Sequence, residues 1–164
     1  MSERIEHIKA KVVFDPKDLT KKHQAQSDWK KHVIAFIDEP DFCDYYMWFL
    51  KKRYNLFLVK PIRGVHFTVI NDIVDDKSKY IESKRLYDGK IIDIEYDLDV
   101  RTDGKHWWFR AWSNDSSFIR QSCGLEKPYW GPHITIGRAE GRAFEQEHSQ
   151  YIHKLIKTFG SEFN

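Results

Sequence analysis

Cysteine is scarce in this chain of 164 residues: there are two, Cys43 and Cys123. They stand far apart, without metal-type spacing, and leave no disulfide framework to read; reduced, structural thiols are expected. No cluster of Asp, Glu, His or Cys offers metal-ligand spacing elsewhere, so chemistry without a metal or other cofactor is expected. Long apolar runs are missing too. None approaches the ~20 residues of a membrane span, and Met1-Ser2-Glu3-Arg4 lacks the apolar core of a secretory signal. A cytoplasmic protein with no membrane partner is expected. One-sided charge is absent: 27 basic against 25 acidic residues give +2. That is not the footprint of a protein that coats duplex DNA, although local basic clusters suit a small anionic ligand. No linker or low-complexity tract interrupts the chain, so a single domain over 1–164 is expected, long enough to bury a core.

Aromatics are plentiful, with eleven Phe, eight Tyr and six Trp, 15% of the chain. Together with 32% charged residues they argue for a folded protein. Residues Ile8 to Phe14 alternate apolar and polar, as a half-buried strand does. Val33 to Ile37 reads as a second strand and Leu56 to Val59 as another. Between them the spacing of Phe42, Tyr45, Tyr46, Phe49, Leu50 and Arg53 predicts a helix from about Asp41 to Tyr54. The polar stretch 17–31 reads as a surface connection or a flap, and 71–89 as loop around a helical turn. Lys90 to Arg101 and Lys105 to Trp112 form a hairpin across Asp103-Gly104, a type I′ turn signal. In its second arm Trp108, Arg110 and Trp112 share one face, and Trp107, Phe109 and Ala111 the other. Residues 113–130 link on, with a turn of helix at Phe118-Ile119-Arg120. A last helix is expected from Phe144 to Phe159. The sum is an α+β chain of two lobes.

One short pattern occurs twice. Val65-His66-Phe67-Thr68-Val69-Ile70 follows Arg63-Gly64, and His133-Ile134-Thr135-Ile136 follows Gly131-Pro132. In a strand, residues i and i+2 share a face, so each copy presents an imidazole beside a hydroxyl. Random placement of eight His and five Thr would give about 0.24 His-x-Thr pairs. One such pair is ordinary strand composition; two, each in an apolar run behind a glycine, point to a shared site.

These residues resemble the paired His-x-Thr-x motifs of the two-histidine (2H) phosphoesterase superfamily. The superfamily includes RNA-end phosphodiesterases, the so-called 2′-5′ RNA ligases, viral 2′,5′-oligoadenylate phosphodiesterases, and phage enzymes that destroy cyclic-oligonucleotide immune signals. The likeness is specific at His66, Thr68, His133 and Thr135 with their flanking residues, and diffuse elsewhere. It implies a pseudo-symmetric, two-lobed fold of mostly antiparallel sheets around a central cleft. It implies also a phosphodiesterase acting on a nucleotide or short oligonucleotide, with no cofactor.

The residue chemistry is compatible with that. An imidazole, with an unperturbed pKa of about 6.5, takes or gives a proton near neutrality. Two of them serve the attacking and the leaving oxygen of one phosphate, and the Thr hydroxyls donate to its non-bridging oxygens. Tyr129 and Trp130 are candidates to stack on a base, Trp130 equally an anchor for its strand. Arg63, Lys127 and Arg138 are candidate phosphate contacts, or solvated surface. Trp107-Trp108 is a base platform or hairpin core. His106 and His148 read as structural; the sequence names no partner for His7, His23, His32 or His153. The compact chain with little net charge suits a small soluble signal, such as a cyclic di- or trinucleotide. A 2′–5′ oligoadenylate, an RNA 2′,3′-cyclic phosphate, and non-catalytic sequestration of a nucleotide stand as alternatives.

Overall fold

Alternation of apolar and polar side chains builds the frame. In β1 (Ile5–Phe14) the residues Ile8, Ala10, Val12 and Phe14 are buried while their neighbours face solvent. The same period, broken where bulges interrupt it, places the inward residues of β2 (Lys30–Phe36), β3 (His66–Ile73), β4 (Ile91–Thr102), β5 (His106–Trp112) and β6 (His133–Arg138). The computed structural model describes residues 4–17, 29–61 and 64–139. Its six strands form a closed barrel in the order β1-β2-β3-β6-β5-β4, with every neighbouring pair antiparallel.

This closure overturns the α+β expectation of two lobes about a central cleft. β1 and β4 pair from Ile5↔Asp97 to Lys11↔Ile91, and β3 meets β6 at Phe67↔Ile134. The two halves of the chain are thus hydrogen-bonded along both seams. A sheet joined at both seams has no free edge and no gap between lobes. Alternation says which face of a strand is buried; it does not say which strand lies beside it.

Three helices complete the fold: α1 (Pro40–Tyr54), α2 (Lys77–Tyr87) and α3 (Asn114–Ser122). The chain order is therefore strand-strand-helix-strand twice, with α2 between the copies, and exchanging the copies leaves the ring order unchanged. α1 starts on a proline, has Asp41 in its first turn and Lys51, Lys52 and Arg53 in its last, and stops where Asn55 turns left-handed at φ 55°. It packs on inward-facing rings: Phe42 lies 5.4 Å from Tyr96 and Tyr46 lies 4.7 Å from Phe109, both edge-on. The Cys43 thiol donates to the Ile136 carbonyl at 3.2 Å. α3, capped by Ser113 on the Ser116 amide at 3.1 Å, packs near the other end of β3. Trp107, Phe109, Ile134 and Ile136 are wholly buried in the core these elements share, each such side chain worth ~1.5–3 kcal/mol in burial. No described helix is long and apolar enough to cross a membrane.

Several local expectations change. Leu56 to Val59 is not a strand: only Val59 pairs, in an isolated bridge with Arg138. The stretch expected as loop around a helical turn holds α2, a full eleven residues capped by Asp76 on the Lys79 amide; only Tyr80 and Ser83 are buried, so no apolar stripe announces its length. The turn at Phe118 to Arg120 is the middle of α3. In α1 the buried set is Phe42, Cys43 and Leu50, while Tyr45, Trp48 and Phe49 are exposed; the helix is rotated from the face its aromatics suggest. The hairpin is real, but its turn is not type I′. Gly104 alone has a positive φ, 93°, and Asp103 instead accepts from the Lys105 and His106 amides. The expected helix over 144–159 and most of the 17–31 segment lie outside the described residues.

Candidate active site

Phe67 and Ile134, the paired residues of β3 and β6, both point into the core, at 2% and 0% exposure. Their neighbours along each strand therefore face outward. Carrying the Phe67↔Ile134 register one residue either way sets Thr68 opposite His133 and His66 opposite Thr135. All four side chains are half-buried on one outer face. Directly opposed residues have Cβ atoms ~4.5–5.5 Å apart and diagonal ones ~7–8 Å. The two imidazoles are diagonal partners, as are the two hydroxyls. Side chains on such a diagonal are still within reach of each other across the face.

The imidazoles are held in the same way. His66 Nδ1 lies 3.0 Å from the Gly64 carbonyl oxygen, and His133 Nδ1 lies 2.7 Å from that of Gly131. A carbonyl only accepts, so each Nδ1 carries the proton and donates, and the lone pair of each neutral ring is on Nε2. The punctuating glycines thus do more than break the strands: each supplies, two residues upstream, the acceptor that sets a tautomer. Gly64 has φ +73°, and a Cβ there would lie 2.9 Å from Phe36 Cε2. Gly131 has nothing within 4 Å of such an atom.

The rows continue across the neighbouring strands. Ile34 and Phe36 of β2 stand beside Thr68 and His66. Arg110 and Trp108 of β5 stand beside His133 and Thr135. The Trp108 and His133 rings are 6.1 Å apart at 60°. The Trp107-Trp108 pair therefore divides: Trp107 is core, at 0% exposure, and Trp108 belongs to the site face.

The other candidates scatter. Trp130 packs beneath the Arg120 guanidinium at 5.2 Å and takes the Tyr129 ring edge-on at 4.9 Å; it anchors the approach to β6. Tyr129 is 74% exposed, and its hydroxyl donates to the Asn71 carbonyl at 3.2 Å. Lys127 is exposed in the same loop. Arg138 pairs with His106 at the far end of β6, about 10 Å along the strand from Thr135. Arg63 lies outside the described residues.

One residue of consequence was missed. Arg120, 4% exposed, donates to both Asp72 oxygens at 2.8 and 3.0 Å, to the Val69 carbonyl at 3.0 Å and to the Glu126 carbonyl at 2.8 Å. It ties the loop that leads into β6 to the end of β3, and so ties the two motif strands together. The sequence signal was an arginine within the stripe Ser116, Ile119, Arg120 and Cys123, all buried.

Burial pushes the Cys43 thiol up to about 12, so it stays protonated and is no nucleophile near neutrality. Among the described residues no group of three His, Cys, Asp or Glu is placed to hold a metal ion. No family model, curated protein or solved structure matches this chain.

Proposed function

We propose that this protein is a metal-independent phosphodiesterase of the two-histidine type, acting on a small nucleotide or oligonucleotide such as a cyclic di- or trinucleotide signal. The observation that carries the reading is the register of β3 on β6, which gathers His66, Thr68, His133 and Thr135 on one face with both Nδ1 atoms committed to glycine carbonyls. A matched pair of imidazoles, each offering Nε2 beside a hydroxyl, suits a reaction that needs a base and an acid at once.

In the proposed reaction one neutral Nε2 takes the proton of a ribose 2′-hydroxyl as its oxygen bonds to phosphorus. The other imidazole, protonated, gives its proton to the departing 5′-oxygen as that P–O bond breaks. The products are a 2′,3′-cyclic phosphate and a free 5′-hydroxyl, and the two imidazoles end with their protonation states exchanged. Thr68 and Thr135 donate to the non-bridging oxygens, where charge accumulates. On a 2′–5′ link the 3′-hydroxyl attacks instead; on a cyclic phosphate, water does. The same four side chains thus serve a 2′–5′ oligoadenylate or an RNA 2′,3′-cyclic phosphate. The proposed place of action is the cytoplasm, that of the host if the chain is phage-encoded, where such a reaction would remove an immune signal.

The test is incubation of the purified full-length protein, with EDTA, against cyclic di- and trinucleotides, 2′–5′ oligoadenylate and RNA ending in a 2′,3′-cyclic phosphate. Chromatography is expected to show cleavage of at least one. Ligand recovered intact and protein-bound would replace the enzyme with a sequestering module.

A further inference from the structure

On the β5 side of the quartet the outer face opens into a groove of about 540 Å³, lined by Asp97, Arg101, Trp108, Arg110, Trp112 and Pro132. Its volume lies within the ~300–1,000 Å³ of small-molecule sites. A bulge shapes it. Tyr96 pairs with Ala111 and Val100 with Phe109, so Asp97, Leu98 and Asp99 stand opposite Arg110 alone. Extra residues on one strand bend it and re-aim its side chains. Asp97, 3% exposed, accepts from Arg110 at 3.2 Å and from the Asp99 amide at 2.9 Å. The buried carboxylate thereby fixes a guanidinium whose side chain is 51% exposed, and leaves the rest of its donor fork for an anion.

The groove adjoins the quartet. Gly131 lines it and also accepts from His133 Nδ1. Arg110 is the cross-strand neighbour of His133, and Trp108 that of Thr135. The opposite flank, Ile34 and Phe36, has neither a cation nor an indole.

We infer that this groove holds a nucleoside joined to the scissile phosphate, its base against the Trp108 and Trp112 rings and Arg110 on the phosphate. The substrate is then bound asymmetrically, with one nucleoside on the His133 side. This rests on the reading of the quartet as a phosphodiester site. Stacking on an indole tolerates any base, and Arg110 adds charge where backbone and quartet meet.

The experiment uses the protein carrying His66→Ala and His133→Ala, so that ligand survives, with calorimetry of the 3′–5′-linked dinucleotide ApA against the same ribose–phosphate–ribose backbone without bases. ApA is expected to bind about tenfold tighter, and Trp108→Ala in that background to remove most of the difference. Trp108→Phe, which keeps a ring face, should retain it; Trp108→Leu, which keeps apolar bulk alone, should not. The Phe–Leu comparison decides the matter where the Ala variant fails to fold. Equal weakening of both ligands by the Trp108 substitutions, or none, overturns the inference. Wild-type turnover of ApA is followed in parallel. Intact ApA together with a Trp108-dependent preference supports the groove while removing cleavage of that link from the proposed reaction. Cleavage without that preference overturns the groove alone.

Discussion

The two Gly-x-His-x-Thr strands carry the same side chains in the same order, yet they stand in different company. In β3 the motif is wedged against β2: Ile34 and Phe36 flank Thr68 and His66, and the Phe36 ring lies against Gly64, which is held at φ +73°. In β6 the motif adjoins β5, with Arg110 and Trp108 beside it. There Gly131 stands in open space, and the preceding loop is fastened by Arg120. The near-equal parts, imidazole, hydroxyl and glycine carbonyl, are those that proton transfer requires. The unequal parts are those that a lopsided substrate would meet. Pseudo-symmetry in the strand order therefore carries the proposed chemistry, and the neighbouring strands carry the proposed preference.

The strongest way to break the comparison is to remove one imidazole at a time. On the proposed mechanism His66→Ala and His133→Ala each lower turnover by about 10²–10⁴-fold while ligand binding persists. The wild-type rate follows a bell in pH, because one imidazole must be neutral and the other protonated. A rate flat from pH 5 to 8 would count against the paired imidazoles altogether, and one histidine whose loss is harmless would reduce the pair to a single working group.

The next effect concerns the tie between the two strands, which joins the loop before β6 to the end of β3. Arg120→Met leaves Asp72 in its part-buried place without its ion partner, and is expected to lower unfolding free energy by about 3–5 kcal/mol in a denaturant titration. Adding Asp72→Asn should recover part of that loss, as a coupled pair requires. In the folded fraction the imidazole resonances of His133 should move more than those of His66.

The smallest effect distinguishes the two glycines. Gly64→Ala meets both the left-handed backbone and Phe36 Cε2 at 2.9 Å, and is expected to destabilise by about 1–3 kcal/mol. Gly131→Ala, with nothing within 4 Å, should stay within about 0.5 kcal/mol. Equal losses at the two positions would mean that the approaches to the motifs are supported alike.

Much of this was legible along the chain, and the failures have physical causes. The inward face of β1 follows from strict alternation in Ile8 to Phe14; in Trp107 to Trp112 alternation separates two aromatic faces but does not say which is inward. Tight α2 capping was missed because a solvated helix needs little apolar surface. The face of α1 was misjudged because Tyr45 and Phe49 are exposed aromatics whose spacing mimics a buried stripe. Arg120 was passed over because an arginine's usual place is the surface, and only its partners on β3 and in the loop at Glu126 make it a buried tie.

By itself the sequence determined that two strands would each show a histidine and a threonine on one face and apolar residues on the other, since that depends only on the two-residue period of extended chain. It also determined a glycine two residues before each histidine. Tertiary structure alone decided that β3 and β6 are neighbours, that Phe67 meets Ile134, and that a second seam between β1 and β4 closes the sheet into a barrel. Strand partnership and register come from contacts between segments distant in sequence, each closing a long loop, and nothing in a local pattern specifies which of several apolar strands will meet that requirement together.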